Sequence, residues 1–116
     1  MKIAMKKNNE IELNISKQFS KYPGPRFRKE GEKSGEEFRE EILEKLFDQC
    51  LENNKILLIN LDGGAGYGTS FLEEAFGGLA RKYKNTDLIL EKLRFITKEE
   101  PYLEDDIIEY IKHANE

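Results

Sequence analysis

The residue types that could do chemistry gather in one stretch, LDGGAGYGTSFLEE, residues 61–74. Gly63 and Gly68 have the glycine spacing of the phosphate-binding template G-x-x-x-x-G-K-[ST], and Ser70 stands at its hydroxyl position. Thr69 occupies the lysine position, so the cation that would pair with the β and γ phosphates is missing. The flanking charges, Asp62, Glu73 and Glu74, have the wrong sign for ATP. The dinucleotide template fails at the same residue, because Gly64 and Gly66 are followed by Thr69 where the last glycine belongs. A helix amino terminus attracts anions weakly in any case, but a nucleotide cofactor is not expected. Elsewhere the chemistry is sparse. His113 is the only histidine and Cys50 the only cysteine, so no Cys/His metal spacing exists. The acidic pairs Glu40–Glu41, Glu73–Glu74 and Asp105–Asp106 read as solvated helix faces. No catalytic residue, metal or cofactor is expected.

The elements around the loop are legible from periodicity. KILLINLD (55–62) is an almost unbroken apolar run, which by itself reads as a central strand covered on both faces. After the glycines, Phe71, Leu72, Ala75, Phe76, Leu79, Ala80 and Tyr83 recur at helical spacing. Ser70 and Glu73 fit the S/T-x-x-E capping box and predict that this helix starts at Ser70. Gly77 and Gly78 inside it each cost about 1 kcal/mol against alanine, so close packing is expected there. Upstream, IELNIS (11–16) alternates as a strand, and Pro23–Gly24 suits the centre of a type II turn. Ser34 with Glu37 predicts the start of a helix carrying Phe38, Ile42, Leu43, Leu46, Phe47, Cys50 and Leu51 on its apolar face, closed by Asn53–Asn54. Downstream, NTDLILEKLRFIT predicts a short turn or helix and then a strand near Leu93–Thr97. A final helix after Pro101 is marked by Leu103, Ile107, Ile108, Ile111 and Ala114. The alternation of strands and helices predicts an α/β layered sheet.

At 116 residues the chain is expected to be a single domain, 1–116, with one modest core. Residues 1–10 are expected to be a flexible segment or an edge strand. MKIAMKKNNE is too polar for a secretory signal, and no apolar run is long enough to span a bilayer. A cytoplasmic protein is expected, with Cys50 a small core residue. The net charge of −4 divides unevenly: residues 1–33 hold nine Lys/Arg against four Asp/Glu, and the remainder is strongly acidic. The basic residues are dispersed rather than forming a face, which argues against nucleic acid as the main ligand.

GPRFRKEG, SGEEFREEIL and KILLINLDGGAGYGTSFLEEAFGGLAR together resemble the STAS-like family of small bacterial and phage proteins of unknown function, over about residues 11–112. GTSFLEEAFGGL is the most specific part. That family is similar in turn to the STAS anti-sigma-factor antagonists. The resemblance implies a single small STAS-like domain with a mixed central sheet of about four strands and helices packed mainly on one side. It also implies a non-enzymatic module that binds a protein, with a GHKL-type kinase or ATPase as the partner class. In the antagonists a serine at the start of the helix after the central strand, in a D-S-S-G-L context, is phosphorylated by that partner, which then releases the antagonist. Aligned so, Gly68 stands at the aspartate, Thr69 at the first serine and Ser70 at the phosphorylated one, while Phe71 replaces the glycine. Ser70 and Thr69 are the candidates for phosphorylation. Gly64, Gly66, Tyr67, Gly68, Thr69, Ser70, Glu73, Glu74, Arg26 and Arg28 are the candidate partner-binding residues. A different class of function on the same scaffold is a phage- or mobile-element-encoded inhibitor, such as an anti-defence protein, that binds a host nuclease complex.

Overall fold

Short runs rich in Ile and Leu supply the strands. The computed structural model describes residues 9–116. β1 (Glu10–Asn14) ends two residues earlier than the alternation suggests. The reason is local: the Asn14 side chain accepts from the Lys17 N–H (3.1 Å) and the Ser16 hydroxyl (2.9 Å). It thereby caps the short helix α1 (Ile15–Gln18). An irregular segment with a 3₁₀ turn at Arg28–Glu30 leads to α2, residues 35–53. Ser34 caps α2 as expected, its hydroxyl accepting from the Glu37 N–H at 3.0 Å. Asn54 closes it in the left-handed conformation (φ 52°). β2 (Ile56–Asn60), the glycine loop, α3 (residues 69–83), α4 (Thr86–Lys92), β3 (Leu93–Ile96) and α5 (Tyr102–His113) follow.

The described strands do not confirm the mixed, four-stranded sheet expected. Among the described residues the sheet has three strands in the order β1-β2-β3, all parallel. The expected amino-terminal edge strand or flexible segment falls, for residues 1–8, outside the described residues, while Glu10 opens β1. Both crossovers move the same way across the sheet, and parallel crossovers are right-handed. That places α2, α3 and α4 on one face, as the resemblance implied, and not on both faces as the apolar run alone suggested. Register shows the consequence. Leu13, Leu57, Ile59 and Leu93 are buried in a core shared with Phe38, Phe47, Phe71, Phe76, Ile107 and Ile111. The alternate residues Ile56, Leu58 and Ile96 are only half-buried and lie outside that core.

Each long helix contains a π-helical turn, Arg39–Leu43 in α2 and Glu73–Gly77 in α3. The insertion in α2 explains why the fully buried pair is Phe38 and Leu43, five apart, while Ile42 is only half-buried. The Pro23–Gly24 turn is not type II, because Gly24 lacks the positive φ that type requires. Glycine is needed there because a Cβ would strike the Glu32 carbonyl, where the Gly24 N–H bonds the Lys33 carbonyl at 2.8 Å.

Candidate functional site

The glycine loop, residues 61–68, lies at the carboxyl ends of the strands, the usual ligand side of a parallel sheet. Part of its backbone is tied down from within. The Gly63 N–H donates to the Glu99 carboxylate (2.9 Å) and the Ala65 N–H to the Lys21 carbonyl (2.8 Å). The Asp62 carboxylate accepts from the N–H groups of Glu99 (3.0 Å) and Lys98 (3.3 Å), and its own N–H donates to Asn60 Oδ1 (2.9 Å). The Tyr67 hydroxyl donates to the Leu61 carbonyl at 3.0 Å, and burial pushes the phenol pKa up. A phosphate entering here would find the first glycine amide holding an internal carboxylate. Glycine is demanded at 63 twice over: φ is +92° and a Cβ would sit 2.8 Å from Ser16 Oγ. At Gly66 only the positive φ of 136° requires it.

α3 does not start where the capping box placed it. Gly68 is the N-cap, Thr69 the first helical residue and Ser70 the second, and no side chain caps the helix. Glu73 does not reach back. It instead accepts from Arg26 (2.5 Å) and Arg81 (2.6 Å), and the Arg81 hydrogen bond, with that of Arg26 against some desolvation, holds its carboxyl below the usual range. The hydroxyl-bearing residues Thr69 and Ser70 are exposed, as is Gly68.

Behind this turn, α2 and α3 meet along a charged seam at their two π turns. The Arg39 guanidinium bridges Glu44 (2.6 Å) and Glu74 (2.9 Å), and its Nε also donates to the Glu74 carbonyl at 3.2 Å. Lys82 adds a bond to Glu44 (2.9 Å). Burial works against the Arg39 charge, but the two carboxylates still raise its pKa. The seam accounts for the glycine pair inside α3. A Cβ at Gly78 would meet Arg39 Nε at 2.5 Å, and one at Gly77 would strike the Glu73 carboxylate.

The structure therefore divides the candidate residues. Gly64, Gly66, Tyr67, Gly68, Thr69 and Ser70 form one surface loop and helix start. Glu74 is buried in the seam, and Glu73 links the seam to Arg26. Arg28 pairs with Glu40 (3.1 Å) and Glu41 (2.9 Å) on the flank of α2. Sequence reasoning missed Ser16, Lys21, Glu99, Arg39 and Arg81. These act across separations of 8 to 46 residues, for which a single sequence carries no signal. Among the described residues, no group of three or more His, Cys, Asp or Glu could hold a metal, and no helix could cross a membrane. Cys50 is buried, and His113 is exposed between Glu109 and Glu116.

The family model described as a STAS-like domain of unknown function matches residues 34–103. The chain belongs to this STAS-like family. The match runs from the cap of α2 through the glycine loop and both π turns to the first turn of α5. It thus takes in the whole seam except Arg26. Neither a curated protein nor a solved structure matches the sequence.

Proposed function

We propose that this STAS-like domain is a non-enzymatic interaction module that docks a partner protein on the glycine loop and the first turn of α3. One observation carries the reading. Of the three large hydrophobic side chains exposed among the described residues, two adjoin segments that hold the loop. Tyr22, 74% exposed, follows Lys21, whose carbonyl receives the Ala65 N–H. Tyr102, 56% exposed, lies three residues after Glu99, which holds the Gly63 N–H. Exposed tyrosines next to the segments that hold the loop suit a protein–protein contact, where tyrosine is a frequent energetic anchor. A loop that spends its Gly63 and Ala65 amides on Glu99 and Lys21, and sets a carboxylate at the first of them, suits a small anion poorly.

By the family's similarity to STAS antagonists, the partner is a GHKL-type kinase or ATPase, and Ser70, with Thr69 beside it, is the switch. Phosphate on Ser70 brings about −1.5 to −2 charges to the interface. A partner covering the loop would have to desolvate that charge. Affinity capture with the wild-type chain from its native host identifies the partner, which is then titrated calorimetrically against wild type, Ser70→Asp and Tyr22→Ala. The expected result is at least tenfold weaker binding for Ser70→Asp, about 1.4 kcal/mol, and a comparable loss for Tyr22→Ala. Equal affinities for all three would remove the loop from the interface. Capture of a nuclease complex in place of a kinase would move the module to the inhibitor class.

A further inference from the structure

Parallel sheets normally have both faces covered, and this one has a face on which none of the described core packs. Register orders its side chains in rows. Glu12, Leu58 and Arg94 form one row, Asn14, Asn60 and Ile96 the next, and Ile56 lies beside Glu10. Ile56, Leu58 and Ile96 are half-buried, and none of them belongs to the core or to the hydrophobics packed against it. The β1 edge of the face carries Glu10 and Glu12, both exposed, and the β3 edge carries the exposed Arg94. Arg94 donates through one guanidinium nitrogen to the carbonyls of Leu90, Glu91 and Leu93, which holds its charge at that edge. Glu12 makes no ion pair among the described residues.

Acid on one edge, apolar residues in the middle and base on the other edge form a self-complementary pattern, and we propose that this face is where a second copy of the chain docks. The charges select the symmetry. A two-fold axis parallel to the strands keeps each row at its own height and exchanges the edges. Glu12 then lies over Arg94 of the second copy, and Leu58 meets Leu58. A two-fold axis across the strands would set Glu12 on Glu12 and Arg94 on Arg94, which repels. Isologous two-fold contacts are the commonest form of self-assembly. Three strands at a spacing of about 4.8 Å and five residues at about 3.3 Å make a face of roughly 15 by 17 Å. That is far below the ~800 Å² per partner of a standard interface, so the dimer is a weak one. The same axis leaves both glycine loops pointing one way, so a dimer offers two docking loops side by side.

Sedimentation equilibrium of the full chain over a range of loading concentrations tests this. Wild type should pass from 13.5 kDa towards twice that mass as concentration rises. Glu12→Arg and Arg94→Glu should each weaken association at least tenfold, and the double variant Glu12→Arg, Arg94→Glu should restore it. Glu12 is exposed and makes no ion pair among the described residues, so that variant should melt like wild type when dilute, which keeps the test independent of any folding cost at Arg94. A chain that stays monomeric throughout would overturn the proposal, as would single reversals without effect or a double variant that fails to recover. A monomer whose melting temperature collapses on Leu58→Glu would show instead that the chain covers this face itself.

Discussion

Ser70 and Glu99 show how far one residue's role depends on its neighbours in space. Ser70 has the sequence context of a cap, yet Gly68 holds the N-cap position and the serine hydroxyl is exposed one step inside the helix. A lost cap would cost about 0.5–2 kcal/mol, whereas an exposed surface substitution stays within about 0.5 kcal/mol. Ser70→Ala is therefore expected to leave the urea midpoint nearly unchanged. A loss above 1 kcal/mol in that melt would return Ser70 to the cap. The carboxylate that controls the loop, Glu99, is 36 residues from Gly63. No spacing rule could have found it.

At the scale of elements, the seam between α2 and α3 adds buried charge to the aromatic contact of Phe38 with Phe71 and Phe76. Arg39 and Glu74 have side-chain exposures of only 16% and 9%. Removing the guanidinium strands Glu74, whose remaining cation, Arg26, is 3.7 Å away. Breaking a buried pair on one side costs about 3–5 kcal/mol, and Arg39→Met should fall near the lower end because Lys82 still serves Glu44. Chemical denaturation measures it, and a loss below 1 kcal/mol would make the seam an incidental contact. Glu73 gives the seam a pH dependence. Its folded pKa is depressed below the ordinary 4.5, so its contribution is complete above that value and is lost as pH falls through the lower folded pKa. The wild-type melting temperature should therefore drop between about pH 5 and pH 3 by more than that of Glu73→Gln. Parallel curves for the two proteins would show that Glu73 contributes nothing to the acid limb. The helices themselves were legible in the periodicity of Phe38, Phe47, Phe71 and Phe76. Their π turns were not, although the seam's Arg39, Glu73, Glu74 and Gly77 all lie in them.

Over the whole molecule, Phe76 joins the layers. It is fully buried, and its ring meets Phe38 at 6.3 Å and, edge-on, Phe95 of β3 at 5.8 Å. Phe76→Ala removes contacts to both α2 and the sheet and should cost about 3–5 kcal/mol, enough to leave a domain of this size largely unfolded. Circular dichroism of the variant at room temperature checks it, and a fully native spectrum with an unchanged melt would mean the core had closed over the gap. By itself the sequence determined the order of the strands and of the longer helices, the central strand, the burial of Cys50 and Phe76, and the failure of both phosphate templates. Each of these follows from periodicity or from a residue type within a few positions. Only the tertiary structure decided that the sheet's described strands are all parallel and its helices one-sided, that Gly77 and Gly78 make room for Glu73 and Arg39, and that the Gly63 and Ala65 amides are spent on Glu99 and Lys21. Those outcomes turn on crossover handedness and on groups brought together from distant segments, and local patterns in a chain record neither.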